Sequence, residues 1–156
     1  MRTICLALTL IVLVTGCATG QDSSEIPADS AKIIFTASGT SPGVSFWTST
    51  SNRACSGFRG AGSVLDSRDY GALSKGLAAM LWKDARPMAA QPGVRIQVKG
   101  QGETGGTVVT SFVPEKGHSY QVNFVNGVVP SQCRQNVTDI TDPAHPVSVG
   151  QPLACR

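Results

Sequence analysis

The chain has 156 residues, of which 41% are hydrophobic and 15% are charged, and its formal net charge is +3. The length suits one domain with one core, and so small and scattered a positive charge excludes a nucleic-acid-binding surface built on basic residues. The 17 glycines and 9 prolines predict many turns and short elements.

Residues 1–16 are predicted to be an export signal that does not belong to the fold. Arg2 follows the amino terminus, residues 4–14 are almost wholly apolar, and small residues precede Cys17. An apolar run of that length is too short to span a bilayer. The tail Val14-Thr15-Gly16-Cys17 resembles the lipobox of bacterial lipoproteins, which implies acylation of the Cys17 thiol and cleavage just before it. The alternative is an ordinary signal peptide with an incidental cysteine.

The residues after Cys17 are predicted to form a flexible tether, so that lipidated Cys17 and the tether together occupy residues 17–31. Residues 18–31 contain one large apolar side chain, that of Ile26. Fully extended, they reach about 46 Å. We expect the lipid to anchor the protein at the outer membrane, an expectation that rests on analogy because Ala18 rather than Asp follows the cysteine. The folded domain, residues 32–156, would then face the periplasm or the cell surface.

Alternation of apolar and polar residues predicts strands from Lys32 onward. The clearest signals are Val94, Ile96 and Val98 in one segment, and Tyr120, Val122 and Phe124 in another. Five weaker candidates are residues 32–38, 44–50, 107–113, 133–140 and 146–150. Seven short strands separated by glycine- and proline-containing turns predict a mainly β fold, an antiparallel β-sandwich.

One segment has helical spacing instead. Asp69 is a candidate N-cap, the apolar residues after it recur at intervals of three and four, and Arg86-Pro87 ends the run. The pattern predicts one inserted helix over residues 70–85. We expect its apolar stripe to pack against a sheet, with a partner-binding groove as the alternative. The stripe consists of Leu73, Leu77, Met80, Leu81 and Trp82.

Two motifs imitate catalytic or cofactor sites. Residues 39–43 match the G-x-S-x-G nucleophile elbow around Ser41, with Asp139 and His145 following in the order of a hydrolase triad. The oxyanion hole requires the backbone N–H of the next residue, and Pro42 has none. Residues 100–105 match the dinucleotide-binding G-x-G-x-x-G, but a strand pattern follows where a helix is required. We predict turns at both places, and no catalytic residue or cofactor site.

The remaining candidate ligands for a metal are also few. His118 and His145 each lie beside a turn signal, and neither has a histidine or cysteine partner two to four residues away. Asp139, Asp142 and His145 are near one another in sequence, but the simpler interpretation is that Asp142 initiates a turn. No metal site is therefore predicted.

Three cysteines remain for the folded domain after Cys5 and Cys17. An oxidising compartment allows them one intramolecular disulfide. If residues 133–155 form a hairpin around Ala144, Cys133 and Cys155 lie opposite each other, which favours that pair. The alternative pair is Cys55 with Cys133.

The C-terminal half resembles a family. Residues 112–124 read Phe-Val-Pro-Glu-Lys-Gly-His-Ser-Tyr-Gln-Val-Asn-Phe, followed by Cys133 and by Val-Thr-Asp-Ile at 137–140. Together with Cys55-Ser56-Gly57-Phe58, this resembles small Gram-negative lipoproteins in which a Phe-x-Pro-x-x-Gly-x-x-Tyr strand pair precedes a cysteine-containing strand. The resemblance implies an architecture and no activity.

These features favour a non-catalytic, lipid-anchored envelope protein. Its β domain would act as a binding or structural module toward another envelope protein or a cell-wall component. The alternative is a lipoprotein inhibitor of a periplasmic or secreted hydrolase, for which the loop at residues 101–106 is the candidate inserting segment.

Overall fold

The computed structural model describes residues 26–40, 43–65, 86–150 and 155. Over these residues the protein is mainly β, with a single 3₁₀ turn at Pro130–Gln132. The strands, in chain order, are β1 (Ala31–Gly39), β2 (Gly43–Ser49), β3 (Arg59–Leu65), β4 (Met88–Ala90), β5 (Ile96–Gly102), β6 (Thr107–Phe112), β7 (Ser119–Asn126) and β8 (Arg134–Asp139). Cys17, Ser41 and the predicted helix over residues 70–85 lie outside the described residues.

The strands form two four-stranded sheets. One has the order β4-β1-β7-β8 and the other β3-β2-β5-β6. Every pairing is antiparallel except that of β1 with β7, which run parallel from Lys32 beside Ser119 to Gly39 beside Asn126. The expectation of an antiparallel sandwich is therefore wrong for this one pair.

The core lies between the two sheets, where alternate residues of facing strands meet. Phe35 of β1 and Phe46 of β2 place their ring centroids 4.9 Å apart, and the rings of Phe112 and Tyr120 lie at 5.1 Å. Burying each such side chain stabilises the fold by about 1.5–3 kcal/mol. The other strongly alternating residues are also buried, as their period of two predicts: Ile33, Val44, Ile96, Val98, Val122 and Phe124.

The predicted strands are confirmed in six cases and wrong in one. Residues 146–150 form no strand and contribute one bridge, in which the Gly150 N–H donates to the Ser111 carbonyl at 2.7 Å. Residues 140–150, the C-terminal arm, therefore leave the end of β8 and cross to the edge of the other sheet, where they meet β6. Two strands were not predicted: β3, which contains two glycines, and β4, which has three residues.

The sandwich has two distinct ends. At the tether end, residues 26–30 lead into Ala31, and the end comprises residues 26–32, 48–59, 90–96, 112–120 and 139–150. The distal end comprises residues 38–40, 43–44, 62–65, 101–108 and 125–135. The seven residues of β5 run from the tether end to the distal end, a rise of about 23 Å.

Candidate functional site

A His–Asp pair with a buried carboxylate lies at the tether end. Nδ1 of His118 lies 2.6 Å from Oδ2 of Asp139. Register explains the contact, because β7 begins one residue after His118 and Asp139 is the last residue of β8, paired with Tyr120. The Asp139 side chain is 6% exposed and that of His118 is 28% exposed.

The second oxygen of Asp139 organises the turn that follows it. Oδ1 accepts hydrogen bonds from the backbone N–H of Thr141 at 2.9 Å and from that of Asp142 at 3.1 Å. The next turn begins at Asp142, as predicted: the His145 N–H donates to the Asp142 carbonyl at 3.1 Å, and the Asp142 side chain contacts the His145 ring, with 2.8 Å between Oδ2 and Nδ1. The three residues considered together, Asp139, Asp142 and His145, thus belong to two separate pairs.

The pair shifts both of its pKa values toward the charged forms. The hydrogen bond to Asp139 raises the pKa of His118 above 6.5, with nearby carboxylate charges adding to it and burial opposing it. Burial acts to raise the pKa of Asp139, but the hydrogen bonds from His118, Asp142 and Thr141 outweigh it, so that this pKa falls below 3.8. An imidazolium donating to a carboxylate is therefore the stable form at mildly acidic pH.

Two open clefts flank the tether end. The Arg95 cleft has a volume of about 490 Å³ and lies between the end of β6 and the C-terminal arm. Its polar side chains are those of Arg95, Ser111, Glu115, Tyr120, Asp139, His145 and Ser148. The histidine that lines this cleft is His145, whose Nδ1 lies 2.8 Å from Oδ2 of Asp142, while Asp139 bonds to His118.

The Arg59 cleft has a volume of about 480 Å³ and opens where β2 ends. Its wall includes Ala89 and Ala90 of β4, and Ala90 pairs with Ala31, the residue at which the tether enters the fold. Hydroxyl groups and one guanidinium supply most of its polar surface. The residues that carry them are Thr48, Ser49, Thr50, Ser51 and Arg59.

Within the described ranges, no three residues of the types His, Cys, Asp and Glu are close enough to hold a metal ion.

At the distal end, the G-x-G-x-x-G segment is a β-hairpin. β5 runs through Gly102, a turn follows, and β6 starts at Thr107, so no helix follows the glycines. The turn is closed by the Gly102 N–H donating to the Gly106 carbonyl, and Gly105 has a φ of 83° that favours glycine. The inference that this motif is a hairpin loop is confirmed.

The hairpin loop packs against the connection between β7 and β8. A Cβ atom on Gly106 would overlap Sγ of Cys133, and the Thr104 hydroxyl lies 3.9 Å from that sulfur. Beside this contact, Val128 and Val129 expose 71% and 44% of their surfaces. The distal end therefore combines a fixed hairpin loop with two exposed apolar side chains.

The disulfide joins Cys55 to Cys155, with their Cα atoms 5.4 Å apart, and Cys133 is free. Both predicted pairings, Cys133–Cys155 and Cys55–Cys133, are therefore wrong. The hairpin that would have paired Cys133 with Cys155 does not form, because the arm carrying Cys155 crosses from β8 to β6. Cys133 remains at the distal end.

Gln97 brings Cys55 to this crossing. Its side chain, 2% exposed, lies on the outer face of β5 beneath the loop that follows β2. Nε2 donates to the carbonyls of Ser51 and Arg53, both at 2.8 Å, and Oε1 accepts from the Cys55 N–H at 2.9 Å. Ser111, which bridges to Gly150, is the partner of Gln97 in the sheet. The disulfide thus closes where the loop and the arm meet over neighbouring strands.

Comparison of the chain with protein-family models, with curated proteins and with solved structures found no match. None of the helices in the described ranges is long and apolar enough to cross a membrane.

Proposed function

We propose that this protein is a non-catalytic binding module, held at the outer membrane by a lipid on Cys17, that presents its distal end to another envelope component. The observation that carries the proposal is the arrangement of the two ends. The tether enters at Ala31, while Val128 and Val129 are exposed at the opposite end of the sandwich. Exposed apolar side chains on a fixed framework suit a protein partner.

The lipobox-like sequence before Cys17 supports the anchor. Two or three acyl chains bind a membrane stably, whereas one chain does not. Mass spectrometry of the mature protein should find acylated Cys17 at its amino terminus. A secreted, unmodified form that begins at another residue would contradict this part of the proposal.

Capture from envelope extract tests the binding role. We expect the mature chain carrying Cys17→Ser to recover one stoichiometric partner, and the double variant Val128→Asp/Val129→Asp to lose it, because charge at the centre of an apolar contact is costly. The control is Val113→Asp/Val149→Asp, which places the same charges on exposed valines of the tether end. Equal recovery by all three proteins, or no partner for any, would refute a distal binding surface.

A second candidate function is inhibition of a periplasmic or secreted hydrolase. The observation that favours it is that the loop at residues 101–106 projects from the same distal end as the two valines. Under this alternative the captured partner is a hydrolase, and adding the mature chain abolishes its activity. Replacing Glu103 and Thr104 by glycine should then restore activity, whereas a simple binding module leaves turnover unchanged.

A further inference from the structure

We propose that the Arg59 cleft binds the phosphate group of an anionic phospholipid, so that the tether end docks on the bilayer. The orientation rests on the proposed lipid anchor, because the tether must lead from Ala31 toward the membrane. The phosphate chemistry rests on the cleft itself.

The lining of the cleft suits an anion. Arg59 is exposed, and Thr48 and Thr50 supply hydroxyl groups that line the cleft with it, while the hydroxyls of Ser49 and Ser51 already bond within the loop. No carboxylate is present among the lining residues within the described ranges. A guanidinium donates to phosphate oxygens in a fixed fork, and serine and threonine hydroxyls add further donors.

The hydroxyls of the cleft differ in their existing partners. Ser49 Oγ donates to the Ser56 carbonyl at 2.6 Å and accepts from the Ser51 N–H at 3.0 Å, which fixes the loop backbone. The Ser51 hydroxyl lies 2.8 Å from that of Ser56. Thr48 and Thr50, on either side of Ser49, line the cleft as well. The loop is therefore held in place before any ligand arrives, which lowers the entropic cost of binding.

The position of the cleft relative to the tether favours a lipid over a free ion. Ala90 of its wall pairs directly with Ala31. Of the five most exposed large apolar residues described, Val113, Ile140 and Val149 lie at this same end. Protein surfaces that rest in the headgroup region of a bilayer combine apolar side chains with cationic groups.

Cations outnumber anions among the exposed charges at the tether end, as docking on a negatively charged leaflet requires. Its exposed cations are Arg53, Arg59, Arg95 and Lys116, and its exposed anions are Asp29, Glu115 and Asp142, whose side chain is 43% exposed. Asp139, by contrast, is buried and paired with His118. The surface that would face an anionic leaflet therefore carries an excess of one exposed cation, and Arg59 is the cation that lines the cleft.

Vesicle binding by the unlipidated mature chain tests the proposal. The assay uses the Cys17→Ser variant and two kinds of vesicle. One kind is phosphatidylcholine, and the other contains about 30% phosphatidylglycerol. We expect sedimentation with the anionic vesicles alone and release when salt rises from about 0.05 M to about 0.5 M. Binding to both kinds of vesicle equally, or to neither, would overturn the proposal.

The matched variants are Arg59→Gln and Arg134→Gln, which remove one exposed arginine from each end. Arg59→Gln should weaken vesicle binding about fivefold or more, the effect of one cation at an anionic surface. Arg134→Gln, more than a Debye length away, should change it by less than about twofold. Equal effects of the two variants would refute the cleft as the site. Thermal unfolding of both variants shows whether either loss reflects misfolding.

Soluble phosphate distinguishes the two sources of the anion. Titration with inorganic phosphate and glycerol phosphate, followed by NMR, should show binding far weaker than that of vesicles and should depend on Arg59. Tight binding of soluble phosphate without vesicle binding would overturn membrane docking. Because the assays use unlipidated protein, their outcome is independent of whether Cys17 is acylated.

Discussion

Gln97 shows how one buried amide can fix a loop. It satisfies two carbonyls and one N–H of the loop that carries Cys55, a residue whose own φ of 58° lies in the left-handed region. A non-glycine residue adopts that conformation only where the surroundings impose it. The three hydrogen bonds of Gln97 and the disulfide supply that constraint, and they hold Cys55 in line with Cys155.

Replacing Gln97 by leucine should destabilise the protein by about 2 kcal/mol, because three part-buried backbone groups lose their partner. The matched control is Gln101→Leu, on the same strand and the same outer face but exposed, which should change stability by less than about 0.5 kcal/mol. Urea unfolding with the disulfide intact measures both. Indistinguishable midpoints and slopes for the two variants would contradict the role given to Gln97.

The His118–Asp139 pair predicts a pH window of stability. The pKa of His118 is raised on folding, so its contribution is present below about 6.5 and is lost as pH rises through the folded value. The pKa of Asp139 is lowered, so its contribution is present above about 3.8 and is lost as pH falls through the folded value. The pair therefore stabilises most between about pH 4 and pH 6.5.

The measurement is the difference in unfolding free energy between wild type and His118→Gln from about pH 3 to pH 9. We expect the difference to be largest near the middle of the window and to shrink above neutral pH. His145→Gln is the control, because its ring is 84% exposed and surface pairs contribute little. A difference that does not vary with pH would show that the pair is not held as an imidazolium and a carboxylate.

At the scale of elements, the arm after β8 and the loop after β2 act as one covalent unit. We expect the double variant Cys55→Ser/Cys155→Ser to lose about 2–5 kcal/mol of stability, because the bond closes a long loop of the unfolded chain. Cys133→Ser should be close to neutral, since that thiol is unpaired.

Alkylation of the denatured, unreduced protein checks the connectivity directly. Peptide mapping should find label on Cys133 and a crosslinked pair of peptides containing Cys55 and Cys155. Label on Cys55 or Cys155 in the wild-type protein would contradict the connectivity described here.

The strands that could be predicted are those with a clear period of two. β5 and β7 carry large apolar residues at alternate positions, whereas β3 reads Arg-Gly-Ala-Gly-Ser-Val-Leu and offers two apolar residues of any size. Residues 146–150 were predicted to form a strand because Val147 and Val149 stand at alternate positions. Val149 is nevertheless 38% exposed, and the arm forms a single bridge. Alternation indicates a strand only where a neighbouring strand is available to pair with it.

The functional groups were harder to predict than the strands, because they depend on which strands are neighbours. His118 and Asp139 are 21 residues apart and meet through the register of β7 with β8. Once β7 and β8 are assumed to form a hairpin, the contact between His118 and Asp139 follows from its register. No local pattern predicts the parallel pairing of β1 with β7, or the crossing of the arm that brings Cys155 to Cys55.

At the scale of the whole molecule, the two ends of the sandwich differ in chemistry. The described charges other than Lys99, Arg86, Glu103 and Arg134 all lie at the tether end. The distal end instead carries the hairpin loop, Cys133 and two exposed valines. A protein that binds lipid phosphate at one end and a partner at the other would hold that partner at a set height above the bilayer. The length of the sandwich, about 23 Å along β5, sets that height.

The Cys55–Cys155 bond also has a consequence for biosynthesis. In a chain that is exported with its amino terminus first, Cys55 and Cys133 reach the oxidising compartment before Cys155, whose partner is 100 residues upstream. The first pair available to an oxidase is thus a non-native one. Early folding of the hairpin loop over Cys133 would shield that thiol, and any Cys55–Cys133 bond formed before then must be exchanged. If the protein is exported as proposed, its maturation should therefore depend on a disulfide isomerase more than on the oxidase alone.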